Sequence, residues 1–257
     1  MPNYLTDSAL CLRVTDFSET SQIVAVLTRD SGLVPMIAKG VKRPTKKNTS
    51  SGPLDLLTSG EVVFIPAKEA SGLGTLASWQ LLDHRAGLRQ DFAGLNAAMV
   101  AAELTLHLLH PHDPHTDVYD ELLAALALFT TPQRPRALVA YAKALLTSAG
   151  YAPQLETCIA CNNPLALDAP RAKFSPRAGS ILHDHCPSPP GITLQVSPKI
   201  AIALARLPAP TVLAANPPDR PADPAALSQA LQLLLAQIEA ITDRPTKTRY
   251  TLPMIFK

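Results

Sequence analysis

Apolar and polar positions change their period along this chain, and the changes divide it. The N-terminal part alternates with a period of two. Within Ala9 to Val14, the residues Leu10, Leu12 and Val14 fall on one face of an extended segment. A second apolar run, Gln22 to Thr28, leads into the turn sequence Asp30-Ser31-Gly32. Leu33 to Ala38 follows, where Pro35 predicts a position towards a sheet edge. Glu61 to Ile65 and Leu73 to Trp79 complete a set of short strands. Strands at this spacing predict a small barrel or sandwich over residues 1–82. The polar stretch 40–53 between the third and fourth predicts a loop.

From residue 83 the period lengthens to that of a helix. Ala97, Val100, Ala101, Leu104 and Leu108 recur at helical spacing. So do Leu122, Leu123, Ala125 and Leu126, and again Leu138, Tyr141, Ala142, Leu145 and Leu146. Pro111, Pro114, Pro132 and Pro135 punctuate these helices, and Gly150 ends the third. A stretch at 151–190 carries most of the cysteines. After it come a short helical run, Pro198 to Leu207, and a long amphipathic helix from Asp223-Pro224 through Ile241. That helix presents Leu227, Leu231, Leu234 and Ile238, and is expected to pack on the earlier ones. The pattern describes an α+β, multidomain chain: a β domain over 1–82 and an α-helical domain over 83–257, interrupted by a small module at 151–190.

Composition narrows the class. Apolar residues make up 47% of the chain, enough for a sizeable core, and charged residues only 17%. Low hydrophobicity with high net charge, the signature of disorder, is therefore excluded. The formal net charge of +2 does not mark a bulk polyanion binder, so any basic surface must be local. No apolar stretch is long enough to predict a membrane span. The N-terminal residues have no basic region ahead of an apolar core, so no signal peptide is predicted. Four cysteines are too few and too clustered for a disulfide scaffold in a chain this long, and a reducing cytoplasm is the expected compartment.

Three of the four cysteines form the strongest local signal. Cys158-Ile159-Ala160-Cys161 is followed, after 21 intervening residues, by His183-Asp184-His185-Cys186. Each two-residue knuckle lets two ligands converge on one ion, and four N/S ligands close a tetrahedron with no open position. Zinc held this way is structural and would fold a loop-rich excursion too small for its own core. Cys158, Cys161 and Cys186 are three candidate ligands. His183 repeats the knuckle spacing and is the favoured fourth, with His185 as its alternative. A redox pair would need a βαβ setting, and no H-x-E or H-E-x-x-H stands anywhere in the chain. His107, His110, His112 and His115 also cluster, but Pro111 and Pro114 interrupt them, and a solvated helix end and loop is the expected reading.

The second signal is electrostatic. Lys39, Lys42, Arg43, Lys46 and Lys47 place five positive charges within nine residues, with no acid among them. Residues 1–82 hold eight basic and seven acidic residues, so most of their excess charge sits in this loop. Phosphate oxygens are its natural partner, and a solvated loop is the competing reading. A basic loop on a small β-barrel favours the first, because such barrels bind single strands across one face and through their loops. Of the aromatic residues Tyr4, Phe17, Phe64 and Trp79, most are expected in the core, so backbone contacts should dominate over base stacking.

In order along the chain, several segments resemble motifs of the RecO family of DNA repair and recombination mediators. They are Asp16-Phe17-Ser18-Glu19-Thr20-Ser21-Gln22-Ile23-Val24, Leu27-Thr28-Arg29-Asp30-Ser31-Gly32-Leu33, Ala38-Lys39-Gly40-Val41-Lys42-Arg43-Pro44 and Leu73-Gly74-Thr75-Leu76. Further on, the two cysteine knuckles with Phe174-Ser175 and Ala178-Gly179 resemble the zinc module of its metal-binding members, and Arg244 to Arg249 the segment after the last helix. His183 departs from the family's usual cysteine, and Gly179-Ser180 from its usual Gly-Gly.

The resemblance implies an N-terminal OB-fold, a helical domain and an inserted zinc-finger-like module. It implies binding of single- and double-stranded DNA and annealing of complementary strands. It also implies a complex with RecR that helps RecA replace single-strand-binding protein (SSB), whose C-terminal tail is a further partner, and a cytoplasmic, nucleoid-associated location. On that reading Arg13 joins Lys39, Lys42, Arg43, Lys46 and Lys47 in neutralising phosphates. Arg244, Lys247 and Arg249 form a second basic surface or simply complement a helix C-terminus. No G-x-x-x-x-G-K-[ST] loop occurs, consistent with a mediator that binds no nucleotide cofactor. The runner-up is another nucleic-acid binder with an OB-fold and zinc, acting on RNA. An enzyme is not expected, because the zinc ligands leave no open position and acids are scattered apart from Asp120-Glu121.

Overall fold

The computed structural model describes residues 3–43, 52–67, 69, 72–218 and 222–256. Lys46 and Lys47 lie outside these. Two compact units divide the chain: residues 1–90 with 109–120, and residues 91–108 with 121–257. A boundary at residue 82 therefore needs correction. It falls inside a strand, and the first unit later recovers a separate segment, in which the His112 N–H donates to the Leu33 carbonyl at 2.9 Å.

Five strands build the first unit: β1 (Leu5–Asp16), β2 (Gln22–Thr28), β3 (Gly32–Ala38), β4 (Ser59–Ile65) and β5 (Gly74–Asp83). They close into a barrel in the order β1-β2-β3-β5-β4, with β4 pairing back onto β1. Every pairing is antiparallel except that of β3 with β5. This is the OB-type barrel that the resemblance implied. The lumen is filled from alternate positions, among them Ala9, Val24, Met36, Val62, Phe64 and Trp79, all essentially inaccessible. Closure leaves no edge for Pro35. It sits beside Ala25 of β2, just outside the short parallel pairing of Met36 and Ile37 with β5.

The phase read along β1 also changes. Cys11 and Val14 face the lumen, while Leu10 and Leu12 are buried outside it. A register shift between Cys11 and Arg13 is the reason, since one extra residue swaps the faces of a strand. Burial pushes the Cys11 thiol up to about 12, so it is an inert core residue.

The second unit is helical. It comprises α2 (Phe92–Leu108), most of α3 (Thr116–Leu128), α4 (Arg134–Ser148), α5 (Pro198–Ala205), α6 (Pro210–Ala215), α7 (Pro224–Thr242), a 3₁₀ turn (Lys247–Thr251) and α8 (Leu252–Ile255); the short α1 (Ala86–Gln90) precedes them. Several open with proline in their first turn, including α4, α5, α6 and α7. There the missing N–H has no helical partner to lose, which is one use for so many prolines. α7 packs on α4 and α2, as its apolar face predicts. Between α4 and α5 lies a small sheet of β6 (Ala172–Ser175), β7 (Ser180–His183) and β8 (Leu194–Val196). Its third strand runs past the limit of 190 read from the sequence.

The histidine cluster is less solvated than expected. His110 is exposed, but His107, His112 and His115 are partly buried. Burial lowers the pKa of His107, with Arg244 and Lys247 adding to the effect and the nearby carboxylates of Glu103 and Glu239 opposing it. The folded state thus holds His107 neutral where the unfolded chain, with a value near 6.5, takes up a proton. The unfolded state binds more protons there, so stability must fall as pH drops through and below 6.5. Thermal unfolding of the native chain and His107→Gln across pH 5–7.5 checks this; an equal slope in both would refute it.

Candidate metal centre and nucleic-acid interface

The metal-ligand candidates come from two turns and one strand end. In the first turn the Cys158 N–H donates to the Asn163 carbonyl at 3.0 Å, and the Cys158 carbonyl accepts from Asn162 at 2.9 Å. In the second, the Cys186 N–H donates to the His183 carbonyl at 3.1 Å, closing the knuckle at the end of β7. The Ile159 N–H donates to Ile181 of β7 and so brings the first turn to the sheet.

The outcome is a cluster of Cys158, Cys161, His183 and Cys186 whose ligand atoms all lie within 4.8 Å of one another. His183 Nδ1 is 3.4 Å from Cys161 Sγ and 3.9 Å from Cys186 Sγ. A zinc tetrahedron with its usual bond lengths has edges of about 3.5–3.8 Å. The other ring nitrogen, Nε2, lies 3.3 Å from the Pro164 carbonyl. Donating there, it leaves Nδ1 as an acceptor facing the sulfurs, the outer hydrogen bond typical of a ligating histidine. His185 is not part of the cluster. It is exposed, its ring stacked on that of His183 with centroids 5.3 Å apart.

The sulfurs differ electrostatically. Burial works against the charge on Cys158, but backbone N–H groups of His183, Cys161 and Ala160 outweigh it and bring the thiol down to about 6. Cys186 is pushed up to about 11 by burial and by its neighbours Cys158 and Cys161. One thiolate is therefore favoured, and the crowding of three sulfurs opposes the rest until a cation joins them. These four donors can hold a metal ion.

Alternation in β6 and β7 puts Leu182 and Lys173 on one face and Ile181 and Phe174 on the other. Leu182 packs with Cys158 and Cys186, and Lys173 Nζ donates to the Cys186 carbonyl at 2.8 Å. The β6–β7 hairpin is tied to α7. Gly179, at φ +60°, leaves room for Gln237, whose amide donates to the Tyr151 carbonyl; a Cβ there would lie 2.5 Å from that amide nitrogen.

The cationic candidates separate. Arg13, Lys39 and Arg43 are exposed, and Lys42 is half-buried and ion-paired with Asp16 at 2.6 Å. The register β1-β2-β3 sets Arg13 beside Ala25 and Pro35, with Thr15, Ile23 and Ile37 next along the same outward face. Lys39 stands in the turn that directly follows β3, two residues after Ile37. Arg244, Lys247 and Arg249 belong to a tied-down tail rather than a free basic strand. The N–H groups of Lys247 and Thr248 donate to the Glu103 carboxylate at 2.8 and 2.9 Å, the Thr246 N–H donates to Glu239 at 2.8 Å, and Arg249 pairs with Glu239 at 3.4 Å. Burial would raise the pKa of Glu103, but these N–H groups and the Thr248 hydroxyl lower it on balance.

Comparison with known proteins decides the family. Residues 1–85 match the family described as Recombination protein O N terminal, and residues 89–249 match Recombination protein O C terminal. The chain belongs to the RecO family. Relatives named DNA repair protein RecO include one from Anaeromyxobacter sp. (strain Fw109-5), 32% identical over 215 residues and 80% of each chain. Another, from Anaeromyxobacter sp. (strain K), is 31% identical over 235 residues, 90% of this chain and 89% of the relative. A third, from Cutibacterium acnes, is 31% identical over 199 residues, 74% and 76% of the two chains. Family membership makes this chain a DNA repair protein of the RecO type. Among the described residues no helix is long and apolar enough to cross a membrane.

Sequence reasoning missed one feature of the helical unit. A groove of about 330 Å³ runs between α4, α5 and the start of α7. Val139, Ile200, Leu204 and Leu207 line it, with Arg136 and Lys199 among its few polar groups. Its parts come from distant stretches of chain, so no local pattern announces it.

Proposed function

We propose that this chain is a recombination mediator that acts by binding rather than by catalysis. It binds single- and double-stranded DNA, anneals complementary strands and, in complex with RecR, helps RecA replace SSB on single strands. The observation that carries the reading is a closed OB-type barrel with exposed Arg13, Lys39 and Arg43 on a chain matched by both RecO families. Lys42, Lys46 and Lys47 extend that basic set. Cations on one strand's phosphates lower the repulsion felt by a second strand, which favours annealing without a nucleotide. Zinc, held by Cys158, Cys161, His183 and Cys186, keeps the module folded and supplies no open coordination position.

The test is annealing of two complementary oligonucleotides coated with cognate SSB, with no nucleotide added. Acceleration by the chain alone is expected. No acceleration, with single-strand binding intact, would overturn the mediator reading, and a preference for RNA would put an RNA-handling role in its place.

The groove between α4, α5 and α7 suits the acidic, hydrophobic C-terminal tail of SSB. Apolar side chains of the tail would enter among Val139, Ile200 and Leu204, and its carboxylates would meet Arg136 and Lys199. Asp223, also on the groove, is occupied in capping α7 through the Ala225 N–H. The double variant Arg136→Ala/Lys199→Ala is expected to weaken binding of a labelled tail peptide by about tenfold or more, an effect that grows as salt is lowered. An unchanged Kd would remove the groove from consideration.

A further inference from the structure

We infer that Phe17 is a base-stacking residue of the nucleic-acid interface, holding one unpaired base while the cations around it hold the phosphates. The inference rests on the proposed binding of single strands.

Phe17 opens the β1–β2 loop and is 62% exposed. The loop is fixed from within. The N–H groups of Phe17 and Ser18 both donate to the Ser21 carbonyl, at 3.1 and 3.2 Å. The Ser18 hydroxyl accepts from the N–H groups of Thr20 and Ser21. Phe17 therefore pays little ordering entropy on contact with a ligand.

The same loop is fastened to the basic segment after β3. The Lys42 N–H donates to the Thr20 carbonyl at 3.1 Å, the Gly40 N–H donates to the Ser21 hydroxyl at 3.3 Å, and Lys42 Nζ pairs with Asp16, next to Phe17. The exposed ring and the basic segment from Lys39 to Arg43 are thus parts of one hydrogen-bonded surface on one rim of the barrel. On these segments Arg13, Lys39, Lys42 and Arg43 outnumber the carboxylates Asp16 and Glu19, and Lys42 is paired with Asp16.

An aromatic face beside cations is the arrangement by which barrels of this type hold single strands: phosphates go to the cations and a splayed base goes to the ring. Duplex DNA buries its base faces in the stack and offers the ring nothing. Of the four aromatic residues of the barrel segment, most are expected in the core. Phe64 and Trp79 are buried there, whereas Tyr4 and Phe17 are exposed.

The experiment compares the full-length chain with Phe17→Ala on three ligands: a thymine homo-oligonucleotide, an abasic strand of equal length, and a duplex. Phe17→Ala is expected to weaken thymine-strand binding about 5- to 150-fold, the range for loss of one stacked base. Affinity for the abasic strand and the duplex should be unchanged, as should the slope of affinity against salt, since no phosphate contact is lost. An equal loss on the abasic strand, or none on the thymine strand, overturns the inference and leaves Phe17 for a protein partner. Failure of the native chain to bind any of the three would instead overturn the proposed function, and the inference with it. Thermal unfolding of both proteins should coincide, because the ring is exposed.

Discussion

Cys158→Ser is expected to reduce bound metal from about one ion per chain to near zero and to open residues 151–196 while the helices stay folded. The argument is one of magnitudes. On the metal-facing side of the small sheet the buried apolar cluster consists of Cys158, Leu182 and Cys186. Burial of such side chains stabilises by roughly 1.5–3 kcal/mol each. Ordering the backbone costs about 1–2 kcal/mol per residue, and the turns carrying the cysteines are long and poor in regular structure. Apparent binding free energies of structural zinc are about 10–16 kcal/mol, large enough to reverse that balance. Phe174 and Ile181, buried on the other face, and the Gln237 contact to Tyr151 keep the module attached to the helical unit even when the metal side opens. Trypsin reads the result. Cleavage after Arg171, Lys173 or Arg177 should become fast in Cys158→Ser and in chelator-treated native chain, with the α2, α4 and α7 segments still resistant. Full metal content in the variant, or equal protection of the module in both, would show that the four residues are not a structural metal site. A His185→Ala control should retain its metal, because His185 lies outside the cluster.

Much of this arrangement was legible in the sequence where the signal is local. The knuckles are local, and so are the alternating strands and the periodic helices. Misreadings occur where a distant residue or a register shift decides. Nothing in Ala9 to Val14 announces the shift at Cys11–Arg13, so the strand was read with Leu10 and Leu12 in phase with Val14, although only Val14 of the three faces the lumen. The tail from Arg244 to Arg249 reads as a second basic surface or as cations complementing a helix C-terminus, because its acids are remote. Glu103 stands 144 residues before Lys247, and only the fold brings its carboxylate to the N–H groups of the 3₁₀ turn. Its cations are also less available than charge counting suggests, since Arg249 pairs with Glu239. The same lesson applies to Lys42: five charges in nine residues signal a phosphate site, but one is already paired with Asp16, three residues beyond Arg13. Phosphate must displace that pair or use its neighbours.

Gly32→Ala is expected to destabilise the barrel unit by about 3 kcal/mol or more, while Gly40→Ala costs only about 1–2 kcal/mol. Both glycines have left-handed backbone, at φ +74° and +66°. Strain from placing a Cβ in that region is common to both and is about 1–2 kcal/mol. Their surroundings differ. A Cβ on Gly40 meets nothing within 4 Å. On Gly32 it would lie 2.1 Å from the Asp113 carbonyl oxygen and 2.5 Å from its carbon, and backbone cannot swing aside as a side chain can. Retreat is blocked from both directions. The Asp7 carboxylate, buried in the barrel unit, holds the turn by accepting from the Asp30 and Ser31 N–H groups and the Ser31 hydroxyl. On the other side the His112 N–H is bonded to the Leu33 carbonyl, and the Thr116 hydroxyl donates to the Arg29 carbonyl. Relief of the clash would therefore break at least one of these bonds, which adds to the strain. Denaturant unfolding of the two variants against the native chain gives the comparison directly. Equal losses would mean that segment 109–120 does not clamp the β2–β3 turn, and that only left-handed strain limits both sites.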